Sequence, residues 1–161
     1  MEIIKITQTN DALTRLVALF RVELRSYKGI ASKPDVEAGR EEMEEYLSAG
    51  FPVLAALVNG EYAGYVVCRI DSEVVWVESI FVREQYRRHG VASALHSKAE
   101  EIAASYGEET VYNYVHPNNH RMIEFLRKRG YTVLNLIEIR KPYKEEKLSQ
   151  KICVGEHEFD Y

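Results

Sequence analysis

Residues 52–58, 63–70 and 74–82 are three consecutive apolar, strand-like runs, separated by the turn signals Asn59-Gly60-Glu61 and Asp71-Ser72-Glu73. A crossover to a parallel neighbour takes a dozen or more residues, so such short links require an antiparallel meander. The period then changes. Gly90 precedes Val91, Ala94, Leu95, Ala99, Ile102, Ala103 and Tyr106 at helical spacing, and Gly107 suits the residue just past a helix end. Residues 110–115 are β-rich again, so strand, helix and strand form a right-handed parallel crossover.

The flanks follow the same logic. Residues 1–6 read as a short strand, and Asn10 and Asp11 cap a helix that carries Leu13, Leu16, Val17, Phe20 and Leu24. Pro34 and Asp35 open a second helix, with Met43, Tyr46 and Leu47 inward, Glu37, Glu41, Glu42, Glu44 and Glu45 toward water, and Gly50 at its end. After the crossover come a helix over 119–129 ended by Gly130, a strand over 131–140 and a tail strand around 152–154. The expectation is an α/β (α+β) fold with a mixed, mainly antiparallel central sheet of roughly six to seven strands flanked by about four helices. With 161 residues and no Pro/Ser-rich linker or repeat, residues 1–161 form one domain.

Composition narrows the partners. At 46% hydrophobic and 29% charged residues the chain is globular rather than disordered, and its two cysteines, Cys68 and Cys153, are too few for a disulfide framework. No run approaches the roughly 20 apolar residues of a membrane helix, and the first residues lack a signal pattern. The expected compartment is the cytoplasm, with no membrane partner. A net charge of −4 argues against a nucleic-acid partner.

The informative stretch is Val82-Arg83-Glu84-Gln85-Tyr86-Arg87-Arg88-His89-Gly90-Val91-Ala92, a basic turn between a strand and a helix start. The first backbone N–H groups of a helix have no partner within it, and the helix dipole places roughly half a positive charge there. Gly90 and Ala92 keep those amides approachable, and Arg87 and Arg88 add charge-assisted donors. A solvated basic turn would look the same by charge alone; the glycine spacing argues for a phosphate. The pattern is neither a G-x-x-x-x-G-K-[ST] nor a G-x-G-x-x-G loop, which removes the nucleoside triphosphate and dinucleotide signatures.

Arg87-x-x-Gly90-x-Ala92 resembles the [Q/R]-x-x-G-x-[G/A] pyrophosphate loop of the GNAT N-acetyltransferase superfamily. Asn119-x-x-Met122-x-x-Phe125-Leu126-x-x-x-Gly130-Tyr131 is similar to that family's later N-x-x-A-x-x-[LF]-Y-x-x-x-G-[FY] segment, and the order of elements matches over essentially the whole chain. The resemblance implies an acyltransferase that moves the acetyl group of acetyl-CoA (coenzyme A as co-substrate, no metal) to a primary amine of a small molecule or protein. It also implies that Ile80, Phe81 and Val82 offer a strand edge to the pantetheine arm. Arg87, Arg88, His89, Gly90, Val91 and Ala92, with Ser93 on the first turn, would cradle the pyrophosphate, and Asn119 would touch the cofactor. A coenzyme A-binding module with little catalysis is the alternative.

Amine acetylation needs a base for the amine and, usefully, a proton for the departing thiolate. Glu78 is a carboxylate in the otherwise apolar strand 74–82, where it is costly unless paired or protonated, so it is the candidate base or amine-orienting group. The tyrosine that donates the second proton in the family falls on Leu126, which has none. The thiolate then leaves unassisted or takes a proton from water, or Tyr112, Tyr114 or His116 substitutes, or turnover is poor. His116 and His120 flank Pro117 without a carboxylate or cysteine, which argues against a metal site. Ser93, His96 and Glu100 lie on one helix face and form no triad. The Glu37 to Glu45 cluster reads as a solvated face that could also attract a cationic amine. The tail 142–161 is long enough to cross to a second subunit, making a homodimer.

Overall fold

A computed structural model describes residues Met1–Tyr161. Strand β1 (Glu2–Ile6) leads to helix α1 (Asp11–Tyr27), whose first turn is closed by the Asn10 side chain accepting from the Leu13 N–H at 3.0 Å. Helix α2 (Val36–Ser48) starts the same way, with Asp35 accepting from the Ala38 N–H at 3.0 Å. The meander is β2 (Val53–Val58), β3 (Glu61–Asp71) and β4 (Val74–Val82), all antiparallel. A 3-10 turn at Glu84–Tyr86 then precedes helix α3 (Val91–Ser105), strand β5 (Tyr112–Asn113, parallel to β4) and helix α4 (His120–Lys128). The central sheet runs β1-β2-β3-β4-β5.

Both faces of this sheet are covered, as buried strands on both sides of the pleat require. Val66, Cys68, Val75 and Val77 pack toward Val91, Leu95 and Ala99 of α3. Val53, Ala55, Tyr65, Val67 and Phe81 pack toward Leu13, Leu16, Val17 and Met43 of α1 and α2. Helices α1 and α2 meet so closely at Gly39 that a Cβ there would stand 2.7 Å from the Thr14 carbonyl oxygen and 3.0 Å from the Ala18 nitrogen. Gly→Ala inside a helix ordinarily stabilises it by about 1 kcal/mol. Gly39→Ala is expected to destabilise instead, by about 1–3 kcal/mol, because the two backbones must separate. A urea midpoint equal to or above that of the wild type would contradict this packing account.

Three expectations about strands need correction. Residues 110–115 contribute only Tyr112 and Asn113 to the ladder, because β5 meets β4 at Trp76 and Val77 and then diverges from it. Residues 131–140 form no strand: they are unpaired, and apart from Tyr131 they are exposed. Strand preference expresses pairing and packing rather than an intrinsic backbone choice, and here the segment has neither. The tail strand exists, but as β6 (Lys151–Val154) paired with β7 (His157–Asp160) in a separate hairpin. The central sheet therefore has five strands. The tail closes on its own chain, with Tyr161 3.0 Å from His116 Nδ1 and accepting from the Asn118 N–H at 3.2 Å.

Candidate active site

One irregularity in β4 organises the site. Val67 pairs with Ser79 while Cys68 pairs with Val77, so Glu78 is an extra residue, a β-bulge. Before the bulge, Val75 and Val77 bury toward α3; after it, Phe81 buries toward α1 and α2, and Ser79 lies 2.9 Å from the Tyr65 hydroxyl in that same layer. The bulge re-aims the strand. Glu78 is left on the α1/α2 side, where its charge helps raise the Tyr46 hydroxyl pKa, behind the larger effects of burial and of Glu42.

Beyond the bulge β4 has one free edge. Ile80, Phe81 and Val82 pair with Val66, Tyr65 and Gly64 of β3, but β5 has already diverged, so no strand pairs with their other side, where the Val82 carbonyl is taken by Arg87. The chain then runs through the loop 83–90 to the α3 N-terminus. Gly90 sits there with φ +81°, the helix has no side-chain cap, and a Cβ on Gly90 would meet nothing within 4 Å. The first intrahelical bond is Ala94 N–H to Gly90 C=O, so the amides of Val91, Ala92 and Ser93 point out of the helix unpaired.

The basic residues of the loop divide their work. Arg87 is spent on the fold: its Nε donates to the Val82 carbonyl at 2.8 Å, a terminal nitrogen donates to Glu23 at 2.6 Å, and the guanidinium lies 5.5 Å from the Phe81 ring centre. Glu23 also accepts from Arg121 of α4 at 2.8 Å and from the Tyr27 hydroxyl at 2.7 Å. Arg88, in the left-handed region at φ +65°, and His89 are exposed, and His89 turns back to the Arg87 carbonyl at 2.7 Å. Asn119 caps α4, accepting from the Met122 N–H at 3.1 Å. An uncapped helix start, an unobstructed left-handed glycine and a one-sided strand edge fit a pyrophosphate with a linear amide-bearing arm.

At the other end of β4, side chains that sequence reasoning did not single out surround Glu78. Arg69 of β3 holds Glu78 Oε2 at 3.2 Å, and its guanidinium stands 5.3 Å from the Trp76 ring centre and 5.7 Å from that of Tyr114. Trp76 is 4.8 Å from both Tyr112 and Tyr114, ring to ring, so the two tyrosines lie on the Glu78 side. The signal was in the register: a two-residue turn at Ser72 and Glu73 pairs Asp71 with Val74 and puts Arg69 opposite Trp76. Glu42, expected to face water, turns inward to Arg21 and the Tyr46 hydroxyl, while Glu41, Glu44 and Glu45 stay exposed. Leu126 is buried. His116 stacks on Tyr27 and bonds Tyr161, away from Trp76 and the two tyrosines on it. Burial pushes the Cys68 thiol up to about 12, which leaves it inert as a nucleophile. No three metal-ligating side chains gather anywhere.

His96 of α3 is fully buried, with Nε2 3.1 Å from the Asn113 side-chain oxygen and the Phe125 and Tyr131 rings edge-on. Burial holds its imidazole below the usual range, against the opposing pull of Asn113 and Glu100 and with Arg129 nearby. The unfolded chain therefore takes up a proton near pH 6.5 that the folded one refuses. Stability is full above that pH and declines as pH falls toward the folded value. Melting temperature should drop from pH 7 to 5, with a shallower slope in His96→Gln. Identical slopes would remove His96 from the account.

Comparison with known proteins follows this geometry. The sequence model of the Acetyltransferase (GNAT) family matches residues 16–131. An N-alpha-acetyltransferase of Sulfurisphaera tokodaii is 31% identical over 114 residues, 60% of this chain and 64% of that protein. An uncharacterized N-acetyltransferase of Methanocaldococcus jannaschii is 33% identical over 81 residues, 46% of this chain and 36% of that protein. The chain thus matches under two thirds of the length of either relative. The structure of AAC(6')-Iy with a bisubstrate analogue aligns with TM-score 0.62 at 21% identity, over 88% of this chain and 97% of that one. An aminoglycoside 6'-N-acetyltransferase from Acinetobacter haemolyticus aligns with TM-score 0.63 at 18% identity, over 89% and 100%. At these identities the likeness is one of fold.

Proposed function

We propose that this chain, which belongs to the GNAT acetyltransferase family, transfers the acetyl group of acetyl-CoA to a primary amine on a small molecule or peptide. One observation carries the reading: β4 alone presents a bulged carboxylate, Glu78, and, directly after it, the open edge that ends at an uncapped helix start. Donor and acceptor sides therefore meet along a single strand.

When bound, acetyl-CoA supplies the thioester carbonyl that the amine attacks. The amides of Val91, Ala92 and Ser93, with Arg88, would hold the pyrophosphate, and the unpaired β4 edge at Ile80 to Val82 would align the pantetheine arm, except at the Val82 carbonyl, which Arg87 takes. Arg87 acts indirectly, pinning the loop to α1 through Glu23. Arg69 is ion-paired with Glu78, and the Glu78 carboxylate takes the proton from the incoming ammonium and leaves the lone pair free to attack. Of the substitutes for the missing family tyrosine, Tyr112 is our choice to return a proton to the thiolate, supported by its pairing with Trp76 where β5 parts from β4. Tyr114 is 59% exposed and His116 is occupied by Tyr161.

The test is thiol release from acetyl-CoA with a panel of polyamines, aminoglycosides, amino acids and a histone-like peptide. Release accelerated by at least one class is expected. The second reading, a coenzyme A-binding module, draws on buried Leu126, which has no proton to give. Binding without release from any amine would establish it in place of the first.

A further inference from the structure

Two carboxylates turn inward on the α1/α2 side of β4, and each already has an arginine. Arg69 stands 3.2 Å from Glu78, and Glu42 is paired with Arg21. Both carboxylates act on the Tyr46 hydroxyl, so the two pairs share one region, and their formal charges sum to zero. A polycationic acceptor would bring further positive charge beside a fixed guanidinium, with no unpaired inward carboxylate to meet it.

Arg69 has donors to spare. Its Nε is buried against Glu78 Oε2 without hydrogen-bond geometry, and Nη2 reaches the Tyr114 hydroxyl only at 3.4 Å. No other protein acceptor meets the five N–H groups of the fork, and the side chain is 31% exposed. The Trp76 and Tyr114 rings, with centres 5.3 and 5.7 Å away, hold the guanidinium in place beside Glu78. A fixed cation with unspent donors next to the carboxylate that meets the amine is complementary to a molecule whose ammonium and anion are themselves neighbours.

We infer that the acceptor is a free α-amino acid, its ammonium at Glu78 and its carboxylate on the Arg69 fork. The inference rests on the acetyl-transfer reading and narrows the acceptor within it. In an α-amino acid a single carbon separates the two charged groups, as a side-by-side Glu78 and Arg69 require. The planar fork binds a carboxylate through two parallel hydrogen bonds, which also fixes where the nitrogen points. A peptide offers only a carbonyl at that position, and a diamine offers a second cation that Arg69 repels. The transfer itself is unaltered: the nitrogen gives one proton to Glu78 and one to the sulfur as its bond to the acetyl carbon replaces the C–S bond, and the carboxylate stays intact.

Thiol release from acetyl-CoA is measured with free alanine, methionine, phenylalanine and threonine, with the α-amide of each and with the amine left by removing the carboxylate. For at least one set, kcat/KM of the acid should exceed that of its amide and its amine by about 10- to 100-fold, the range for charge-assisted hydrogen bonds. The amide is the less basic amine, so protonation works against this preference. Amides or amines used as well as the acids in every set overturn the inference and leave acetyl transfer standing. Arg69→Gln should erase the preference by raising KM for the acid, and Arg69→Lys should restore part of it; a folded Arg69→Gln that keeps the preference overturns the inference. If that variant does not fold, or if no amine of any class releases thiol and the acetyl-transfer reading itself fails, the Arg69 Nε–H resonance of the wild type, assigned by its loss in Arg69→Lys, decides. A shift on adding the free amino acids that their amides do not produce supports the site, and equal shifts or none overturn it.

Discussion

Glu78→Gln should lower kcat for amine acetylation by about 100-fold or more, the usual range for losing a positioned base, while acetyl-CoA still binds. Glutamine keeps the size of the side chain and so the bulge opposite Val67 and Cys68, but it cannot take up the proton. It also releases Arg69, which remains over the Trp76 and Tyr114 rings. The deficit should shrink at high pH, because a free primary amine loses its own proton near roughly pH 10 and then needs no base. If the variant instead keeps kcat and raises KM, Glu78 binds the ammonium and does not accept its proton. An unchanged kcat/KM would remove it from the reaction.

The second large effect is expected at the helix start. At 100 times its dissociation constant a ligand of the native state adds about 2.7 kcal/mol, which for a chain of this size raises the melting temperature by about 5–10 °C. Gly90→Val should abolish that rise. Its branched side chain stands beside the open amides, and φ +81° is a conformation that β-branched residues scarcely adopt. The strain alone costs about 1–2 kcal/mol of stability, so a control is needed. Gly107, just past the other end of α3, has φ +82° and equally open surroundings. Gly107→Val should cost similar stability and leave the acetyl-CoA response intact. Equal responses in the two variants would detach the α3 N-terminus from cofactor binding.

What was legible in the chain follows from how local each signal is. The meander was fixed by the turns at Asn59-Gly60 and Ser72-Glu73, which leave no length for another topology, and the helix starts by Asn10, Asp35 and Gly90. The candidate phosphate loop was visible because its requirements, an uncapped helix start and a permissive glycine, are written in consecutive residues. The role of Arg87 was not, because Glu23 lies 64 residues away in sequence and only packing brings the two together. Glu78 could be singled out as an isolated carboxylate, but its direction depends on the bulge, which is a property of two strands. Arg69 and Trp76 were recoverable from the hairpin register and were missed for want of counting it. The strand expected over 131–140 shows the opposite limit: its residues specify a strand by preference, and in the fold they pair with none.

We propose that the acetyl donor lies along β4 and ends at the α3 N-terminus, and backbone amide resonances of the wild-type protein, followed while acetyl-CoA is added, are the decisive measurement. The largest shifts are expected at residues 79–82 and 88–93, saturating at one ligand per chain. Binding that leaves those resonances unmoved, or no binding at all, would contradict it.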